Sequence, residues 1–181
     1  ILWALPRPPP FFGKSKKDPQ YRWFRCSARN WQWWTVGGYF VSSWLFNMAD
    51  SLNHFILPEQ VWQEATESVV TQLVKPENNS VLASIVGYIA PCVSAPVWEE
   101  VLYRGFLLAG LTASTGSYGA ACLVQAVVFS AHHMSVTAAL PLAVLGFSWA
   151  VLYTQSRNLL SVIVVHALWN SRVFIGSWFG L

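Results

Sequence analysis

Charge is scarce in this chain. Only 10% of its 181 residues are Asp, Glu, Lys or Arg, and 54% are apolar, whereas a water-soluble domain usually carries about 25% charged residues. The deficit excludes an ordinary soluble enzyme and points to a membrane protein. Cysteine is scarce too: Cys26, Cys92 and Cys122 stand far apart with no CxxC pair, which suggests neither a disulfide framework nor a zinc knuckle. Neither the GxSxG of serine hydrolases nor the HExxH of zincins occurs. The net charge is only +3, so no nucleic-acid partner is expected.

The charges that do occur are unevenly placed. Arg7, Lys14, Lys16, Lys17, Arg22, Arg25 and Arg29 are seven of the 11 Lys and Arg residues, and they make residues 1–30 a proline-broken basic juxtamembrane segment. By the positive-inside rule this segment marks the cis side, with anionic membrane lipid as its natural partner, and alternating spans bring Arg157 back to that side. A chain that starts at Ile1 reads as a piece of a longer protein, with earlier spans expected before it.

Residues 31–77 form the second unit. The run from Trp31 to about Ser51 has the length of a first transmembrane helix, and residues 52–77 place apolar side chains at helical spacing beside Glu59, Glu64, Glu67 and Glu77, as an amphipathic surface helix does. Residues 78–181 form the core. Residues 79–113 exceed one untilted span, and Pro91 and Pro96 predict a break with a new helix starting near Pro96. Further apolar segments run from about Tyr118 to His133, Ala138 to Thr154 and Leu159 to Phe179. The fold class expected is all-α, a polytopic transmembrane helix bundle.

Polar residues inside these apolar helices carry the functional signal. "WEEVLYR" (residues 98–104) puts Glu100 and Arg104 on one helix face with the acid N-terminal, the better order for an ion pair. Glu99 points about 140° away from Arg104 and is left free for another task. "FSAHH" sets Phe129 and His133 at i,i+4, and "HALWN" does so for His166 and Asn170. Any one such pair could be interhelical glue. A spare carboxylate, two histidines and an amide on three helices together can supply a general base and oxyanion donors: Glu99 and His133 polarising a water, His166 and Asn170 stabilising the tetrahedral oxyanion. Glutamate and histidines could also hold a metal, which the sequence leaves open, and His54, His132 and His133 are possible pigment ligands. No organic cofactor is expected.

In that order, "EEVLYR", "FSAHH" and "HALWN" resemble the EExxxR, FxxxH and HxxxN signature of the CAAX-protease and bacteriocin-processing family of membrane glutamate proteases, over about residues 78–179. The resemblance implies Glu99 and His133 as the water-activating pair, His166 and Asn170 as the oxyanion site, and Glu100, Arg104 and Phe129 as supporting residues. "APVWEEVLYRGFLL", "LPLAVLGF" and "SRNLLSVIVVHALWN" are similar to the plant and algal plastid and cyanobacterial branch. That likeness implies a thylakoid or inner-envelope membrane and two alternatives: an endopeptidase with a membrane-protein substrate, or a non-proteolytic scaffold attached to a photosynthetic complex or chlorophyll-biosynthesis enzymes.

Overall fold

The structure, a computed structural model, describes residues 23–24, 30–63, 65 and 81–179, and among these it is all-helical. Helix α1 runs Trp31–Ile56 and a short α2 runs Glu59–Gln63. A long helix, α3, covers 81–115; then come α4 (Tyr118–His132), α5 (Ala139–Ser156) and α6 (Leu159–Phe179). Most of the basic segment 1–30 lies outside the described residues, and of the surface helix expected over 52–77, residues 52–56 continue α1, 59–63 form α2, and 64 and 66–77 lie outside the described residues.

Among the described residues three helices are long and apolar enough to cross a membrane: Ile85–Thr115, Ala139–Ser156 and Leu159–Ser177. Helix α1, the expected first span, is not among them. Its 26 residues suffice in length, but Gln32, Asn47, Asp50 and Asn53 lower its hydropathy. Its exposure pattern is nonetheless inside out. Thr35, Ser42, Ala49 and Asn53 are buried against the bundle, while Trp33, Phe40, Val41, Trp44, Met48, Leu52 and Phe55 face outward. Small and polar residues toward neighbouring helices with large apolar ones outward is the arrangement that lipid favours. The Trp149 indole donates to Ser42 Oγ at 2.9 Å and ties α1 to α5.

The break expected at the prolines does not form. Helix α3 passes through Pro91 and Pro96 by widening into π-helical turns at Ala90–Ser94 and Val101–Leu107, with α-helical turns between and after them. Pro91 lies in the first of these widened turns and Pro96 in the α-helical turn that follows it. Membrane helices tolerate proline through such local adjustments. The 31-residue apolar stretch rises about 46 Å, too long for a perpendicular crossing and therefore tilted or projecting.

Turn chemistry sets the remaining boundaries. Gly116 takes φ 65° to end α3, and Ser117 caps α4 by accepting from the Ala120 N–H. At the turn before α6, the Leu159 N–H donates to the Trp23 carbonyl at 2.8 Å. Residue 23 therefore lies at the same end of the bundle as Arg157, as the charge distribution predicts. The core gathers between α3, α4, α5 and α6 around Leu108, Cys122, Phe129, Leu145, Trp149, Tyr153 and Val162.

Candidate functional site

The polar residues converge in this core. Glu100 and Arg104 are both 0% exposed, and Arg104 Nη1 donates to Glu100 Oε1 at 2.8 Å. The i,i+4 pair forms as the spacing predicts. The second guanidinium nitrogen donates to the Gly146 carbonyl on α5 at 3.2 Å, and the cation rests on the rings of Phe129 and Trp149, at 4.9 and 5.6 Å. Isolated buried charge would cost several kcal/mol per ion; here one carboxylate, one carbonyl and two aromatic faces offset it.

Gly146 makes this approach possible. A Cβ there would lie 3.1 Å from Phe129 Cδ1 and 3.2 Å from Ala126 Cα, so only glycine lets α4 and α5 pack closely enough to present that carbonyl to Arg104.

His166 joins from α6. It is 2% exposed, and its Nδ1 lies 2.8 Å from Glu100 Oε1. That carboxylate is also the acceptor for Arg104, so Nδ1–H donates and the other ring nitrogen is turned to different work. Nε2 lies 3.9 Å from Glu99 Oε2, beyond hydrogen-bond length. The Trp149 ring packs 4.4 Å from the imidazole, centroid to centroid, and Phe129 lies 6.1 Å away. Glu99 itself is partly open, its side chain 20% exposed.

The other two candidates stand at the edge. His133 caps the C-terminal end of α4 and is exposed. Its Nδ1 is 2.9 Å from the Phe129 carbonyl, and a carbonyl only accepts, so Nδ1 carries the proton and the neutral ring presents Nε2 as a base. Its ring lies 4.9 Å from Phe129, but it makes no ion pair with Glu99. Asn170, one turn beyond His166, donates Nδ2–H to the Pro91 carbonyl at 2.7 Å, leaving its second N–H for another acceptor. His132, the neighbour in the histidine doublet, is exposed and stands 6.3 Å from Tyr103, ring to ring. His54 is stacked on Trp62 at 4.0 Å.

Among the described residues no three His, Cys, Asp or Glu side chains are grouped as metal ligands. Five features were not foreseen from sequence: the Glu100–His166 bond, the Gly146 and Pro91 carbonyls, the Trp149 ring under His166, and the fully buried Gln125. Only Gln125 left a visible signal, a lone amide in the apolar run "AACLVQAVVF".

Residues 81–172, just over half of the chain, match the family model described as Type II CAAX prenyl endopeptidase Rce1-like. The chain belongs to this family. The match ends just past Asn170 and holds all three polar motifs. The chain is also similar to a Bacillus subtilis (strain 168) protein described as "Putative membrane peptidase YdiL", 23% identical over 142 residues, which are 78% of this chain. It spans about half, 54%, of that relative's length. No solved structure matches it. Family and apolar helices together establish an integral membrane protein.

Proposed function

We propose that this chain carries the active site of an intramembrane endopeptidase that cuts a membrane-protein substrate near its C-terminus or a membrane-proximal segment. One observation carries the reading: the buried Arg104–Glu100–His166 chain aims His166 Nε2 at Glu99 across 3.9 Å. An oxygen atom about 2.8 Å from each fits that gap, a position for water or for a tetrahedral oxygen.

In this mechanism Glu99, helped by the His133 Nε2 lone pair, takes a proton from water as the water oxygen bonds to the scissile carbonyl carbon. The carbonyl oxygen becomes an oxyanion that accepts from His166 Nε2–H and the free Asn170 N–H. Donation from Nε2 while Nδ1–H is given to Glu100 requires the imidazolium form. Collapse expels the amine, protonated from Glu99. Glu99→Gln protein in native membranes, profiled for new peptide termini, tests this: termini present with wild type should vanish. A terminus pattern unchanged in the variant removes Glu99 from the chemistry.

A second reading, a non-proteolytic scaffold, is favoured by the two edge residues, since His133 and Asn170 both spend a donor on backbone carbonyls. It predicts that a mild-detergent extract holds the same larger complex for wild type and Glu99→Gln, with no terminus depending on Glu99. A thylakoid or inner-envelope location, with a photosynthetic or chlorophyll-biosynthesis complex as partner, rests on the sequence likeness alone and is checked by membrane fractionation.

A further inference from the structure

Gln125 lies mid-way along α4 and is 0% exposed, yet neither its Oε1 nor its Nε2 has a hydrogen-bond partner among the described residues. An amide buried without partners costs roughly 1–3 kcal/mol by protein mutational data, so a native core seldom keeps one unsatisfied. Three atoms on one stretch of α3 are in the same condition: Glu99 Oε2, Glu100 Oε2 and Arg104 Nε.

Helix geometry places them in one layer. Cys122, Gln125 and Phe129 stand at i, i+3 and i+7 on the buried face of α4. Phe129 touches the Arg104 guanidinium at 4.9 Å, and Cys122 is within electrostatic range of the same cation. Gln125 lies between two residues that both adjoin Arg104. The guanidinium spends its terminal nitrogens on Glu100 and Gly146, which leaves the Nε edge for a third partner.

The unpaired atoms are complementary. Arg104 Nε and Gln125 Nε2 donate, while Gln125 Oε1 and Glu100 Oε2 accept. A water molecule, which accepts and donates two bonds each, satisfies such a set, and buried waters typically make about three bonds to otherwise unpaired groups. We infer that the layer between α3 and α4 binds an internal water held by Gln125 and the Nε edge of Arg104. Gln125 is thereby a positioning residue: it fixes Arg104, and through it Glu100 and His166, from a helix that contributes no other polar group to this ion pair. The inference does not depend on the peptidase reading.

X-ray hydroxyl-radical footprinting of the membrane-embedded protein tests this without an activity readout, because radiolysis of a bound water labels the side chains beside it. Wild-type Cys122 and Phe129 should be labelled despite their burial, and the equally buried Tyr153 should not. Gln125→Met, an apolar side chain of similar length, should lower that labelling at least about fivefold. Gln125→Asn, which keeps the amide, should retain it. Absent labelling of Cys122 and Phe129 in wild type overturns the proposal, as does undiminished labelling in Gln125→Met. Should Gln125→Met not fold, the wild-type and Gln125→Asn patterns decide by the same criteria.

Discussion

Glu100 Oε1 accepts from two donors at once, Arg104 Nη1 and His166 Nδ1, each at 2.8 Å. The carboxylate that looked like a mere counter-ion for Arg104 is also what fixes the tautomer and tilt of His166. Glu100→Gln keeps the shape but weakens both charge-assisted bonds and lets the amide offer a donor to Nδ1. By analogy with orienting acids in hydrolase triads, the expected loss in kcat is on the order of 10²–10⁴, with KM little changed, measured on purified protein in proteoliposomes.

Arg104 should be worth more to folding than to chemistry. Arg104→Met leaves Glu100 buried without its cation, with only His166 Nδ1 still donating to it, a loss of about 3–5 kcal/mol. The double variant Arg104→Met with Glu100→Leu should recover part of this, since an apolar pair of similar volume is close to neutral. Thermal unfolding of the two in detergent checks the order.

How much of this was readable from sequence follows from range. Glu100–Arg104 lies within one helix, so spacing alone reveals it, and the remaining carboxylate, Glu99, does stand apart from that pair. The Glu100–His166 bond joins residues 66 apart in the chain and depends on how α3 and α6 pack, which no local pattern encodes. Proline chemistry pointed to a break in α3 because the rule describes α-helices, and the π-helical turns at Ala90–Ser94 evade it. Apolar length suggested α1 as a span, but α1 is not among the helices apolar enough to cross, and which of its faces is buried is a property of the tertiary contact.

Asn170 separates two roles in one substitution. Asn170→Ala deprives the Pro91 carbonyl of its partner, at about 1 kcal/mol. If its second N–H also serves the oxyanion, kcat falls on the order of 10²–10³. A stability loss with cleavage unchanged would confine Asn170 to holding α3 against α6.

Gly146→Ala tests the packing that presents the carbonyl to Arg104. The added Cβ meets Ala126 backbone at 3.2 Å, which cannot swing aside as a side chain does, so α4 and α5 must part. The expected destabilisation is about 1–3 kcal/mol, accompanied by a fall in activity larger than Ala elsewhere on α5 produces. Melting and turnover of Gly146→Ala beside Ser148→Ala provide the comparison.

Helix α4 has 15 residues, about 22 Å of rise, in a hydrocarbon layer about 30 Å thick. It stops some 8 Å short. The backbone from His133 to Ala138 must then turn at a depth where protein has to satisfy it, and it does: the His133, Met134 and Ala139 N–H groups donate to the Ser130, Ala131 and Val136 carbonyls, the Ala138 N–H donates to Ser135 Oγ, and Asn53 and Ser130 reach the Thr137 and Ala139 carbonyls. Mismatch thus acts on the turn that carries His133, and acyl-chain length becomes a control on the depth of that side chain in the bilayer.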